Sequence, residues 1–114
     1  DGVTLFGTGA VGVEGPVRVA GSGPGLLLPP GPNPGSGTTA IAFRLNDPAT
    51  ATVAVFDLAG RRVATLTHEG FPAGLSHLTW DGRDDRGRVL AAGTYLVELR
   101  VGSWRQTRKL VRVR

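Results

Sequence analysis

The chain has 114 residues, enough for one domain, with a formal net charge of +4 and neither Cys nor Met. Without Cys it can form no disulfide, no thiol nucleophile and no cysteine-ligated metal site. No run approaches the roughly 20 consecutive apolar residues of a membrane helix, so no membrane insertion is expected.

The sequence opens on Asp1 without an initiator Met. This predicts a mature chain freed of a secretory signal and located outside the cell or at its surface. Residues 1–37 hold eleven of the eighteen glycines and six of the eight prolines. Four apolar islands interrupt this stretch: Val3, Leu5 and Phe6; Val11 and Val13; Val17 and Val19; and Leu26, Leu27 and Leu28. They are β-prone but too short to fold alone, so each needs a partner strand. Residues 29–34, PPGPNP, read as a stiff extended hinge.

Regular alternation follows. Thr39, Ile41, Phe43 and Leu45 alternate with Ala40, Ala42 and Arg44, predicting a first strand. Further strands are predicted at residues 53–56, 62–66, 75–80, 94–101 and 105–113, with a short one near residues 88–90. Between the strands at 75–80 and 94–101 lies a loop rich in Asp, Gly and Arg, with turn dipeptides at Asp81-Gly82 and Arg86-Gly87. Turns about every 10–14 residues and no helical period predict an all-β chain, an antiparallel β-sandwich. The expected division is an extended N-terminal arm at 1–31 and a sandwich at 32–114.

Several segments together resemble a known family: PNP, TTAIAFRL, VAVFDLAGRRVATL, PAGLSHLTWDGRDDRGRVLAAGTYLVEL and RKLVRVR. They are similar to the immunoglobulin-like module shared by the flagellar hook-capping protein and by C-terminal sorting domains of type IX secretion cargo. The resemblance covers about residues 32–114. It implies an immunoglobulin-like sandwich of about seven strands without catalytic activity, acting as a structural subunit or as an export and anchoring module.

Candidate sites are few. Asp81, Asp84 and Asp85 crowd one loop and supply oxygen ligands suited to Ca²⁺; the competing reading is turn chemistry, with carboxylates bonding nearby backbone N–H groups. No other cofactor is expected. Trp80 and Tyr95 offer a sugar platform, but their alternation with Leu78, Val97 and Leu99 reads as core. Trp104 follows a turn at Gly102-Ser103, where it can pack on the arm or on a neighbouring copy. Ser76 and His77 are adjacent in a predicted strand and point to opposite faces, which excludes a Ser–His pair. The last eleven residues hold five basic groups and no acid. Arg112 and Arg114 alternate with Val111 and Val113 as on a solvent face, so no nucleic acid is expected.

The remaining feature is the arm. A β-prone extension can add a strand to an exposed sheet edge of another copy. Such a head-to-tail contact does not close and gives a filament. Val3, Leu5, Phe6, Val11, Val13, Val17, Val19, Leu26, Leu27 and Leu28 are the expected contact residues. The function expected is therefore a non-enzymatic extracellular subunit that polymerises with itself by strand donation. The alternatives are a C-terminal sorting module of a type IX secreted protein, tied to a cell-envelope anchor, and a calcium- or carbohydrate-binding accessory domain.

Overall fold

Seven stretches of the chain can bury alternate side chains, and each forms a strand. The computed structural model describes residues 23–113. In chain order the strands are β1 (Gly25–Leu27), β2 (Thr39–Leu45), β3 (Ala49–Asp57), β4 (Arg62–Phe71), β5 (Gly74–Trp80), β6 (Gly93–Val101) and β7 (Trp104–Arg112). They build two antiparallel sheets, β1-β2-β5 and β4-β3-β6-β7. No helix among the described residues is long and apolar enough to cross a membrane.

The core is the inner face of both sheets. From β2 it takes Ile41, Phe43 and Leu45, from β3 Val53 and Val55, from β6 Val97 and Leu99, and from β7 Leu110. Phe43 meets Phe71 edge to face at 5.0 Å. Trp80 and Tyr95 pack edge to face at 6.5 Å, and the Tyr95 hydroxyl donates to the Ala91 carbonyl at 2.7 Å. Both rings are buried, and no described aromatic ring is exposed, so the sugar platform is not built.

Three expectations change. The sandwich begins at Gly25, not at residue 32: β1 pairs with β2 through Gly25↔Leu45, Leu26↔Arg44 and Leu27↔Phe43. Leu27 is fully buried in its own chain's core, because a strand added at this edge covers Phe43 and Leu45. Residues 29–34 do not hold β1 away as a spacer. They carry the chain back along β2, where Gly31 and Ala40 exchange backbone hydrogen bonds of 3.1 and 2.7 Å. Finally, the expected strand near 88–90 is only an isolated bridge, Arg83↔Val89. The seventh strand is β1.

Strand β7 joins the two sheets along one flank. The side chains of Trp104, Gln106, Arg108, Leu110 and Arg112 share its inner face. The Leu27 N–H donates to Gln106 Oε1 at 2.7 Å, and Arg108 Nε donates to the Leu27 carbonyl at 2.8 Å. These bonds satisfy the outer backbone groups that Leu27 presents at the edge of β1. On the outer edge of β7 the Asn33 amide stands in for a strand residue. It donates to the Lys109 carbonyl and accepts from the Val111 N–H, both at 2.9 Å. Gly35 continues the pairing to Val111 and Val113.

Candidate interaction surface

Asp84 sits in a turn that wraps its own carboxylate. Oδ1 accepts from the N–H groups of Arg86 and Arg88, both at 2.9 Å, and Oδ2 accepts from Arg88 Nε at 3.0 Å. The backbone closes the same turn through Asp84 N–H to the Arg88 carbonyl and Gly87 N–H to the Asp84 carbonyl. Gly87 has φ +84°, a left-handed conformation that costs glycine little. The Arg88 N–H, then that of Arg86 and the Arg88 guanidinium, hold the Asp84 carboxyl below the usual aspartate range against a smaller opposing effect of burial.

The same construction occurs a second time. Asp57 Oδ1 accepts from Ala59 and Arg61 N–H at 3.0 and 2.9 Å, Oδ2 accepts from Arg61 Nε at 3.2 Å, and Gly60 has φ +86°. The Arg61 N–H is again the leading cause of a lowered carboxyl pKa. The shared pattern is D-x-x-G-R, at 57–61 and 84–88. It was present in the sequence, but one copy joins β3 to β4 and the other lies within the longer loop between β5 and β6.

The other two acids of the loop are also engaged. The Thr65 N–H donates to Asp85 Oδ1 at 2.9 Å, and the Asp85 N–H donates to the Val63 carbonyl at 3.1 Å. Asp85 thereby occupies the outer edge of β4 at residues 63–65. The Arg83 N–H donates to Asp81 Oδ1 at 3.1 Å. Each carboxylate is turned to its own backbone donors, and no group of three acidic or histidine side chains among the described residues is placed to hold a metal. The expected calcium arrangement of Asp81, Asp84 and Asp85 is therefore corrected to turn and edge chemistry.

Beside this loop lies the largest departure from expectation. Arg112, expected on a solvent face, is 7% exposed. Its Nη1 donates to Thr39 Oγ1 at 2.8 Å, and its guanidinium lies 5.0 Å from the Trp80 ring centroid. Gly82, with φ +81°, is packed against this guanidinium, and a Cβ there would collide with it. Parity within β7 was the available signal: Leu110 is a core residue, and Arg112 lies two residues on, on the same face.

Of the expected contact residues, Leu26, Leu27 and Leu28 lie within or beside β1 in the chain's own sheet. Leu27 is withdrawn as a contact with another copy, since it is sealed in the core. Val3, Leu5, Phe6, Val11, Val13, Val17 and Val19 lie outside the described residues. Trp104 is half-buried, packs on the core and covers Gly23, where a Cβ would stand 2.5 Å from its ring. Among the histidines, His68 Nδ1 is 2.7 Å from Thr52 Oγ1 across β3 and β4, and His77 is exposed on β5.

No curated protein matches the sequence. In structure the chain is similar to the dimeric latent PorU of Porphyromonas gingivalis, with a TM-score of 0.64 and 19% identity over 83% of this chain and 10% of PorU. PorZ from the same organism gives 0.53 and 20% identity over 83% of this chain and 13% of PorZ. FlgD from Xanthomonas campestris gives 0.55 and 23% identity over 78% of this chain and 67% of FlgD. The chain thus spans about a tenth of the length of PorU and PorZ. Residues 32–103 match the profile of the FlgD Ig-like domain, which bears out the resemblance read from the motifs. The chain belongs to the FlgD Ig-like domain family.

Proposed function

We propose that this chain is a non-enzymatic extracellular structural subunit whose N-terminal segment joins copies by strand addition. The observation that carries this reading is β1 itself. Three residues within a Gly/Pro-rich stretch add to β2 as a strand, and one side chain, Leu27, enters the core completely. The islands at residues 3–6, 11–13 and 17–20 have the same short apolar character. They carry what strand addition requires: backbone groups for the ladder and alternate apolar side chains for a groove. Donation to a neighbouring copy is heterologous and propagates into a filament.

Sedimentation and electron microscopy of the full chain against a variant lacking residues 1–22 test this. The full chain is expected to form concentration-dependent polymers and the shortened chain to remain monomeric. Polymers of the same form from the shortened chain would overturn strand donation.

A second reading has its own support. The chain matches a small part of two long proteins, and PorZ is described as a bacterial surface component of the type IX secretion system. As a sorting or anchoring module, residues 23–114 fused to a passenger would direct that passenger to the surface of a type IX host. Retention of the passenger inside the cell would refute it.

A further inference from the structure

The strand-addition reading leaves open where a donated strand would go, and the four sheet edges differ sharply. The edge of β1 is closed at Leu27 by Gln106 and Arg108. The edge of β7 is covered at Lys109 and Val111 by Asn33, and the strand carries Arg105, Arg108, Lys109 and Arg112. The edge of β4 is capped by Asp85 at residues 63–65 and disturbed by register shifts in its pairing with β3. Charges, irregular pairing and covering groups are the usual ways in which an edge is kept from pairing further.

Among the described residues, β5 has none of these. It pairs with β2 through seven unbroken positions, from Thr39↔Trp80 to Leu45↔Gly74. Its sequence, GLSHLTW, contains no Asp, Glu, Lys, Arg or Pro. On β2 the backbone groups of Ala40 and Ala42 turn toward Gly31 and Leu28, so those of Ile41 and Phe43 turn toward β5. By antiparallel alternation, the N–H and C=O groups of Leu75, His77 and Thr79 point away from the sheet. Among the described residues, no strand pairs with that side. Beside its Thr79–Trp80 end, a cleft of about 480 Å³ has Ala64, Leu66 and Trp80 at its apolar base and a largely polar rim that includes Thr79, Asp81 and Arg83.

We propose that the outer edge of β5, with this cleft, receives residues 17–20 of a second copy of the chain. The inference rests on the strand-addition reading and names its acceptor. Residues 17–20, VRVA, place Val17 and Val19 on one face of an extended strand, suited to the apolar floor at Ala64, Leu66 and Trp80. Their one charge is Arg18, and the cleft is lined by three carboxylates, those of Asp81, Asp84 and Asp85, against one cation, Arg83, which pairs with Asp81. A second copy is favoured over the chain's own arm by position. The described chain starts at Gly23 against Trp104, on the flank where β1 meets β7, and β5 lies on the other flank. Only residues 21–22 link this donor to Gly23, a reach of about 10 Å at about 3.3 Å per residue, so residues 17–20 meet the β5 edge of a copy packed directly beside this flank and not the chain's own β5.

The test uses two full-length variants. One blocks the edge with His77→Lys and Thr79→Lys, at exposed side chains outside the core. The other blocks the donor with Val17→Asp and Val19→Asp. Each alone is expected to lose polymerisation with its melting temperature unchanged in dilute solution. Mixed one to one, they are expected to form a heterodimer and nothing larger, since one intact arm then meets one intact edge. Amide exchange at Leu75, His77 and Thr79 should slow only in the mixture.

The other outcomes are distinct. Polymers from the edge-blocked variant would overturn β5 as acceptor while leaving strand addition standing. No polymers from the unmodified chain at any concentration would overturn both. Protection of Leu75, His77 and Thr79 at every dilution would assign the arm to its own chain. A closed dimer from the donor-blocked variant alone would assign the edge to pairing of β5 with β5, and polymers from it would overturn residues 17–20 as the donor.

Discussion

Replacing Arg112 with methionine removes a buried cation while keeping most of its volume, and the structure sets opposing terms for that change. The charge-assisted hydrogen bond to Thr39 Oγ1 is lost, a contribution of about 1.5–3 kcal/mol. The contact over Trp80 contributes about 0.5–2 kcal/mol more. Thr39 is fully buried, so its hydroxyl is left without this partner. Against this, methionine avoids the desolvation of a guanidinium, itself several kcal/mol. A net loss of about 2–3 kcal/mol is expected, or roughly 10 °C in melting temperature for a domain of this size. Thr39→Val alone leaves the guanidinium facing a methyl group and should cost a similar amount. The double variant removes both halves of the bond together and should cost about 1 kcal/mol or less. Urea denaturation followed by tryptophan fluorescence, in dilute solution, gives all four corners of the cycle. If the double variant loses the sum of the two singles within about 0.5 kcal/mol, Arg112 and Thr39 are not coupled and the reasoning fails.

Leu27→Ala should destabilise the monomer by about 2–4 kcal/mol at any protein concentration, because Leu27 fills its own core; an effect seen only in polymers would contradict this. Gly82→Ala carries two penalties, a strained φ of about 1 kcal/mol and a displaced guanidinium. Its cost should fall in the Arg112→Met background, which a denaturation cycle would read directly. Asp57 and Asp84 have lowered folded pKa values, so their stabilisation is fully present above the unfolded aspartate range and disappears as pH falls through the folded values. The melting-temperature gap between the unmodified chain and Asp84→Asn should therefore narrow below about pH 4. A gap that widens toward low pH would refute the assignment.

Where a strand is half-buried, the sequence alternation was enough to find it. Ile41, Phe43 and Leu45 on β2, and Tyr95, Val97 and Leu99 on β6, are buried as their spacing requires. Periodicity failed at both ends of the chain, for different reasons. β1 is Gly-Leu-Leu, too short to show any alternation, and its partner residues lie around position 44, beyond any local window. β7 misled because its inner face is largely polar. Gln106, Arg108 and Arg112 point inward to hydrogen-bond β1 and Thr39, so a rule that assigns charge to solvent inverts the strand's end. The Asp loop was legible as turn chemistry, but the role of Asp85 was not. That residue bonds Thr65, twenty positions away, and only the fold brings the two together.

These polar residues on β7 also explain how the β1 flank of the sandwich is closed, and the explanation can be tested at Gln106. A strand of three residues cannot hold an edge by ladder bonds alone, and Leu27 would otherwise present an unpaired N–H and C=O from a fully buried position. Gln106 supplies the acceptor and Arg108 the donor. Gln106→Leu keeps the volume and removes the acceptor, so about 1–3 kcal/mol should be lost and the Leu27 amide should exchange faster. Gln106→Glu keeps an acceptor at the same reach, beside the Arg108 guanidinium, and should retain most of the stability at neutral pH. If leucine and glutamate behave alike, the side chain acts through packing and not through the Leu27 bond. If only leucine destabilises, the closed flank depends on side chains standing in for a missing strand. Among the described residues, no side chain does this on β5.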